Sequence, residues 1–180
     1  MVFDTASFRL PSRFRRQLQA STWTLRSDTA FAQVISRCAS AARPGQDGTW
    51  ITPDMVAAYV QLHRLGHAHS IEVFAGEVLV GGIYGVAIGR MFFGESMFSA
   101  EPGGSKVALA GLMRLLRRWR WPLVDAQVEN AHLVSLGARR MPREQFLLRV
   151  QELTSGEGRT GCWSQWLDEW PAPALGKSLD

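Results

Sequence analysis

Near the middle of the chain the residue pattern changes from helical spacing to strand-like spacing, and this change limits the folds that are possible. Three strand-like segments follow one another there, Ser70–Phe74, Val78–Gly85 and Arg90–Phe98. The turns between them, Ala75-Gly76-Glu77 and Ile88-Gly89, are short and contain glycine, which is typical of hairpins. The pattern therefore predicts three consecutive antiparallel strands.

Helical patterns surround these strands. They cover residues 13–20, 28–40, 105–119, 130–136 and 142–153, together with a helix that begins after Thr52-Pro53 and ends at Gly66. Asp28 is a candidate N-cap for the second of them. The segment Pro122–Val128 is predicted to be a buried strand, and Ala41–Gly48 a loop. The element order predicts an α/β or α+β fold with a mixed, largely antiparallel sheet flanked by helices.

Composition is consistent with a small globular protein. With 180 residues, 46% apolar content and 20% charged residues, we expect one domain at 1–153 and a loosely packed tail at 154–180. The chain has no apolar run long enough for a membrane span and no signal-peptide pattern at its start, so we expect a cytoplasmic location. Its net charge of +4 is compatible with an RNA partner.

Metal and disulfide chemistry are not indicated. Cys38 and Cys162 lie far apart without a Cys-x-x-Cys spacing, which indicates two reduced thiols. His63, His67 and His69 lie close together, but Gly66 interrupts the helix between them and the glutamate of a His-Glu-x-x-His motif is missing. We therefore expect no metal site.

Three polar residues interrupt apolar strand patterns and are candidates for chemistry. Asp125 and Gln127 stand two apart on the predicted strand, so their side chains should share one face. Such a pair could relay a proton, but it could also be a solvent-facing pair at a strand end. Glu95 lies among Phe92, Phe93, Met97 and Phe98, where it could form a pocket floor or simply face solvent.

Several blocks identify a family to which this sequence is similar. The blocks TWITPDM, LHRLGHAHSIEV, LVGGIYG, FFGESMFS, LVDAQVEN and SLGA occur in order, and together they resemble the leucyl/phenylalanyl-tRNA–protein transferases. The resemblance covers about residues 1–153 and implies a fold like that of the GCN5-related N-acetyltransferases. It implies transfer of Leu or Phe from aminoacyl-tRNA to the N-terminal Lys or Arg of an acceptor protein, marking it for degradation. No cofactor or metal is implied, and we expect a monomer.

The resemblance also implies roles for individual residues. Gln127 would draw the proton from the acceptor α-amine, with help from Asp125, and Glu95 would meet the ammonium group of the aminoacyl donor. Trp50 would stack near the terminal adenosine of the tRNA, although a lone tryptophan is otherwise a core residue. The implied lining of the aminoacyl pocket is Phe92, Gly94, Met97, Ile83, Leu112 and Val124.

Two arginine clusters could attract phosphates or could be solvated helix faces. The first contains Arg9, Arg13, Arg15 and Arg16, and the resemblance implies that Arg13, Arg15 and Arg16 contact tRNA. The second contains Arg114, Arg117, Arg118 and Arg120.

One feature of the family has no counterpart in this sequence. Family members usually carry a further N-terminal module with a WWSP-type block that helps to form the donor cleft, and Phe3 onward aligns after it. Activity without the module, a trimmed chain and altered donor use all remain open. A non-catalytic tRNA- or peptide-binding relative is a second hypothesis. An acyl-CoA N-acetyltransferase is a third, but the segment SAEPGGSKVAL lacks the spacing of its pyrophosphate loop.

Overall fold

A computed structural model describes residues 1–41 and 49–178, and a seven-stranded sheet forms its centre. The strand order is β1-β6-β5-β4-β3-β2-β7, and every neighbouring pair is antiparallel except β5 and β6, which run parallel. The predicted mixed, largely antiparallel sheet is thereby confirmed. The strands are β1 Val2–Asp4, β2 Thr24–Ser27, β3 Ala68–Ala75, β4 Val78–Ile88, β5 Met91–Ser99, β6 Leu123–Asp125 and β7 Trp170–Pro171.

Helices cover both faces of this sheet. They are α1 Ser12–Gln19, α2 Phe31–Ser40, α3 Pro53–Arg64, α4 Gly104–Arg118, α5 Ala131–Ser135, α6 Arg143–Thr154 and α7 Leu175–Ser178, with 3₁₀ turns at Ser164–Trp166 and Ala172–Ala174. One face packs against α4 and α1, and the other against α2 and α3. Successive side chains of β4 show this division. Ile83 packs in the core on the side of α4 and α1, and Tyr84 packs in the core on the side of α2 and α3. None of the described helices is long and apolar enough to cross a membrane.

The central hairpins and the α3 helix match the sequence-based expectations. Strands β3, β4 and β5 are joined by two-residue turns, each of which contains a glycine with positive φ, Gly76 at 59° and Gly89 at 56°. The Thr52 side chain accepts a hydrogen bond from the Met55 amide at the start of α3, and Gly66 follows its last turn with φ of 78°. From residue 42 onward, the predicted loop at Ala41–Gly48 lies outside the described residues.

Asp28 is not the N-cap of α2, contrary to the sequence-based prediction. The helix begins at Phe31, and Asp28 adopts a φ of 57° with its carboxylate buried beside β3. That carboxylate bonds to Nδ1 of His69 at 2.8 Å and accepts the amides of Ser70 at 2.9 Å and Trp163 at 2.7 Å. These partners are distant in sequence, so the local cap pattern could not distinguish this role.

The strand predicted at Pro122–Val128 is shorter than expected. β6 contains only Leu123–Asp125, and Val128 is 80% exposed beyond it. The structure also differs from the expectation of a loosely packed tail after Leu153. Trp163, Leu167, Ala172 and Leu175 all lie in the core cluster under α4, and Trp170 pairs with Leu25 as part of β7.

Candidate active site

The strands β5 and β6 pair over a short distance and then separate. Met91, Phe92 and Phe93 stand in register with Leu123, Val124 and Asp125, and the described ladder ends at that last pair. Beyond it β5 continues to Ser99, whereas β6 ends at Asp125 and the described residues that follow it do not pair with β5. The two chains therefore form a gap at the edge where Glu95 and Gln127 follow.

A β-bulge sets the direction of Glu95. Tyr84 of β4 stands opposite Ser96, and the next residue, Gly85, stands opposite Gly94, so Glu95 is an extra residue on β5. Bulges of this kind redirect a side chain and are common beside functional sites. The strand pattern of the sequence did not predict this bulge.

Gln127 lies in a strained turn directly after β6. Its φ is 57°, a left-handed conformation that costs a residue other than glycine roughly 1–2 kcal/mol. Asp125 supports the turn, because its Oδ1 accepts the Gln127 amide at 2.8 Å, as in an Asx-turn. The sequence-based prediction that both side chains lie on one face of a strand is therefore wrong, since Gln127 is not part of the strand.

The Gln127 side chain crosses the gap to Glu95. Gln127 Nε2 donates to Oε2 of Glu95 at 2.9 Å. The Tyr59 hydroxyl on α3 also hydrogen-bonds to Glu95, and burial followed by the nearby Glu95 charge raises the pKa of Tyr59 to about 12. Tyr59 is thus a neutral donor at physiological pH. Glu95 is held by two donors from two different elements.

Trp50 extends this line of side chains at the surface. Its ring is 43% exposed and meets Tyr59 edge-to-face at a centroid distance of 6.5 Å. A half-exposed indole beside a polar cluster is available for stacking on a flat ligand. The structure therefore joins Trp50, Tyr59, Glu95, Gln127 and Asp125 in one continuous series. Tyr59 was missed from the sequence, where it was only one apolar position of a helix.

The apolar candidates form a second group on the other face of the sheet. Ile83, Phe92, Leu112, Val124 and Met97 belong to the cluster under α4. Phe92 and Met97 are five residues apart, so in a regular strand they would face opposite ways, and the extra residue at Glu95 brings them to one face. Phe92, Leu112 and Val124 are almost fully buried, and Met97 is the half-buried member. Glu95 contacts Tyr59 on the opposite face.

Gly94 directly follows the last β5–β6 pair and lies beside the backbone of Asp125. A Cβ built on Gly94 would stand 3.2 Å from the carbonyl oxygen of Asp125. Across the sheet, a Cβ on Gly85 would meet the Phe92 ring at 2.6 Å. Both glycines therefore permit the close backbone and ring packing that positions Asp125 and Phe92.

Three members of the first arginine cluster lie apart from this site, on α1, and Arg9 precedes that helix. Arg15 and Arg16 line a shallow cleft of about 320 Å³ together with Ser12, Gln19 and Gly176, and Arg13 is exposed on the same helix. The histidines have structural contacts. His63 bonds the Ala68 carbonyl oxygen at 2.9 Å, and His69 stacks on Trp163 at 3.6 Å. Within the described residues, no group of three or more His, Cys, Asp or Glu side chains could hold a metal ion.

Comparisons with known proteins agree on one family. The family model described as Leucyl/phenylalanyl-tRNA protein transferase matches residues 2–151. A leucyl/phenylalanyl-tRNA–protein transferase of Xanthomonas oryzae pv. oryzae is 65% identical over 97% of this chain and 70% of its own length. That of Xanthomonas axonopodis pv. citri is 63% identical over 99% and 72%, and that of Xylella fastidiosa is 59% identical over 91% and 67%.

Solved structures are more distant. A structure of L-PGS from Bacillus licheniformis superposes with a TM-score of 0.47 at 10% identity, over 88% of this chain and 53% of that one. A likeness of this size carries no argument. The sequence matches do, because they extend over most of both chains and include every block of the candidate site. The chain belongs to the leucyl/phenylalanyl-tRNA–protein transferase family.

Proposed function

We propose that this chain transfers Leu or Phe from aminoacyl-tRNA to the N-terminal α-amine of an acceptor protein that begins with Lys or Arg. The product would be marked for degradation. The tRNA donor favours a cytoplasmic reaction, and we propose separately that the chain acts as a monomer. The observation that carries this proposal is the hydrogen bond between Gln127 and Glu95 across the gap between β5 and β6. It links a proton acceptor and a carboxylate at one exposed position of the sheet.

The reaction needs the acceptor amine in its neutral form, and an α-amine has a pKa near 7.7–8.0. Its nitrogen attacks the ester carbonyl carbon that joins the aminoacyl group to the ribose of the terminal adenosine. An N–C bond forms, the ester C–O bond breaks, and one proton passes from nitrogen to the departing ribose oxygen. The ester itself supplies the driving force, so the reaction requires no further cofactor.

Gln127 is suited to receive the amine. Its Nε2 donates to Glu95, which leaves its side-chain carbonyl oxygen to accept a hydrogen bond from the incoming N–H. As the tetrahedral intermediate forms, that oxygen would draw the proton of the attacking amine. The Asp125 carboxylate would stabilise the positive charge that develops as the amine attacks. Asp125 also holds the Gln127 backbone in place through the 2.8 Å bond. Both roles remain those that the family resemblance suggested.

Glu95 is suited to bind the donor's ammonium group. A carboxylate offers about four acceptor positions, and Tyr59 and Gln127 use only two of them. The aminoacyl side chain would enter toward Met97, the half-buried member of the apolar group, and displace it from the buried Phe92 and Val124. Apolar pockets separate ligands that differ by a methylene by only about 1–3 kcal/mol, so Leu and Phe would both be accepted.

The acyl-CoA hypothesis has less support. A pyrophosphate loop needs unoccupied backbone amides between β5 and α4. The amides of Ala100 and Glu101 instead donate to the Val80 carbonyl oxygen, and those of Gly104 and Ser105 donate to Glu101 and to the Ser99 hydroxyl. These internal bonds leave few donors for a phosphate.

The experiment is a transfer assay with the 180-residue chain, labelled Leu-tRNA or Phe-tRNA and a peptide that begins with Arg. We expect label in the peptide, and no label when its N-terminus is acetylated, because the α-amine is then blocked. Replacing Gln127 by Ala should slow transfer by roughly 10²–10⁴-fold, the usual contribution of acid–base catalysis.

The matched control is Gln145→Ala on α6, an exposed glutamine that is not part of the candidate site, which should keep the wild-type rate. Absence of transfer by the wild-type chain would overturn the proposed function. Unchanged transfer by Gln127→Ala would overturn the residue's role while leaving the reaction in place. Peptides beginning with Lys, Ala or Glu test the acceptor range in the same assay.

A further inference from the structure

Positive charge is concentrated on one face of the sheet. Helices α1 and α4 together contain seven basic residues and no acidic one, whereas the whole chain has a net charge of only +4. Both helices pack on the same face, and the C-terminal segment Ala172–Ser178 contacts each of them. The arginines of α1 and those of α4, about 100 residues apart in sequence, are therefore parts of one basic face.

Three arginines on this face make cation–π contacts with tryptophan rings. Cζ of Arg114 lies 3.9 Å from the centroid of Trp170, and Cζ of Arg118 lies 5.4 Å from that of Trp166. Arg159 lies 4.9 Å from both Trp119 and Trp166. We call these three arginines with Trp119, Trp166 and Trp170 the arginine–tryptophan surface. A cation–π contact restricts the position of each guanidinium and does not use its N–H groups, which stay available as donors.

The described part of the chain offers no carboxylate that neutralises the charges of this surface. Among the described residues, no carboxylate forms an ion pair with Arg114, Arg118 or Arg159, and the neighbouring Glu169 binds Arg26 instead. Burial and the adjacent Arg118 charge both lower the pKa of Arg114. Placing like charges one helical turn apart is unfavourable, so an anion bound between them would stabilise the arrangement.

We propose that the arginine–tryptophan surface binds the phosphate backbone of the donor tRNA. Preoriented guanidinium groups suit phosphate oxygens, which they can contact through two parallel N–H donors. Continuity with Arg15 and Arg16 on α1 extends the same basic face across the C-terminal segment. This surface lies outside the residues that hold the aminoacyl group, so it would add affinity and orientation without taking part in the chemistry. The inference rests on the proposed use of a tRNA donor.

The alternative is that the arginine–tryptophan contacts only stabilise the packing of the C-terminal segment against α4. Cation–π pairs at exposed sites contribute about 0.5–1 kcal/mol each, which is enough for such a role. The two possibilities differ in salt dependence. Phosphate contacts release counterions, and each one that is lost lowers the slope of log K against log salt concentration by about one. If the arginines only stabilise this packing, replacing them would change the melting temperature and leave the slope unchanged.

The experiment measures binding of the full chain to deacylated tRNA and to Leu-tRNA over a series of salt concentrations. The variant replaces Arg114, Arg118 and Arg159 by Gln. Its salt slope should fall by about 2.7, or about 0.9 for each lost contact, so the change in Kd between 50 and 200 mM salt should shrink roughly 40-fold. KM for Leu-tRNA should rise while kcat at saturating donor stays close to that of the wild type.

Two control variants keep the test decisive. Arg37, Arg64 and Arg143 are exposed on α2, α3 and α6, and replacing all three by Gln removes the same charge with little expected change in slope. Replacing Arg114, Arg118 and Arg159 by Lys keeps the charge and should keep the slope. The inference is overturned if the Gln variant retains the wild-type slope, or if the Lys and Gln variants lose binding equally. A wild-type chain that binds tRNA without transfer would overturn the proposed function, and the slopes would still decide this inference.

Discussion

Glu72 is a carboxylate fully enclosed in the core, and its replacement by Gln gives a quantitative prediction. The side chain is 0% exposed, and it accepts hydrogen bonds from the Thr29 hydroxyl at 3.0 Å, the Thr29 amide at 3.3 Å and the Ser70 hydroxyl. Burial, which outweighs these hydrogen bonds, raises its pKa from 4.5 to about 8, and the charge of nearby Asp28 acts in the same direction. Gln has the shape of the protonated form and cannot ionise.

The sign of the pH dependence follows from proton binding. Between the unfolded pKa of 4.5 and the folded pKa of about 8, the folded state binds more protons than the unfolded state. The free energy of unfolding of the wild type therefore falls as pH rises through this interval. Each pKa unit corresponds to about 1.4 kcal/mol, so the full interval amounts to roughly 5 kcal/mol. About 4 kcal/mol of it should be lost between about pH 5 and about pH 8.5.

The measurement compares urea unfolding of the wild type and Glu72→Gln at those two pH values. The unfolding free energy of Glu72→Gln minus that of the wild type should increase by about 4 kcal/mol as pH rises. The control is Glu77→Gln, whose carboxylate is 86% exposed and pairs with Arg26 at the surface, so it should shift by less than about 1 kcal/mol. A Glu72→Gln difference that stays constant with pH would refute the reasoning, because Glu72 would then not titrate between these limits.

Two further predictions concern the candidate site. Tyr59→Phe removes one hydrogen-bond donor to the Glu95 carboxylate. A hydrogen bond to a charged group contributes about 1.5–3 kcal/mol, so we expect transfer to slow by roughly 10–100-fold with little change in melting temperature. Unchanged kinetics would show that Tyr59 does not contribute to the site. Gly94→Ala places a Cβ 3.2 Å from the Asp125 carbonyl oxygen and should lower the free energy of unfolding by about 1–3 kcal/mol. Transfer should also slow, because a shift of Asp125 would displace Gln127 from Glu95. The control Gly156→Ala, whose nearest atom is the flexible Arg90 side chain at 3.5 Å, should change stability by less than about 0.5 kcal/mol.

Local patterns in the sequence were sufficient for the central part of the fold. The three strands β3, β4 and β5, the Thr52 cap and the apolar face of α4 follow from periodicity and turn residues that act within a few positions. The C-terminal segment shows the limit of this approach. It has no period, yet Trp163 is 1% exposed and its amide binds Asp28, 135 residues earlier. Contacts of that separation leave no repeating signal, so neither the packing of this segment nor the true role of Asp28 was predictable from spacing.

The candidate residues were predicted individually, but their arrangement was not. A regular strand would place Phe92 and Met97 on opposite faces, so alternation alone could not explain why both pack under α4. The bulge accounts for this, and it also turns Glu95 toward Tyr59 on the other face. Charge recognition and apolar recognition thus lie on opposite faces of β5, within three residues of each other. We expect a single aminoacyl group to reach both through the gap beyond Phe93 and Asp125, where β5 and β6 are no longer paired. The sequence pattern predicted a strand that ends three residues later, at Val128. Because a ladder continuing to Val128 would close the gap, the proposed reaction requires the short β6 strand.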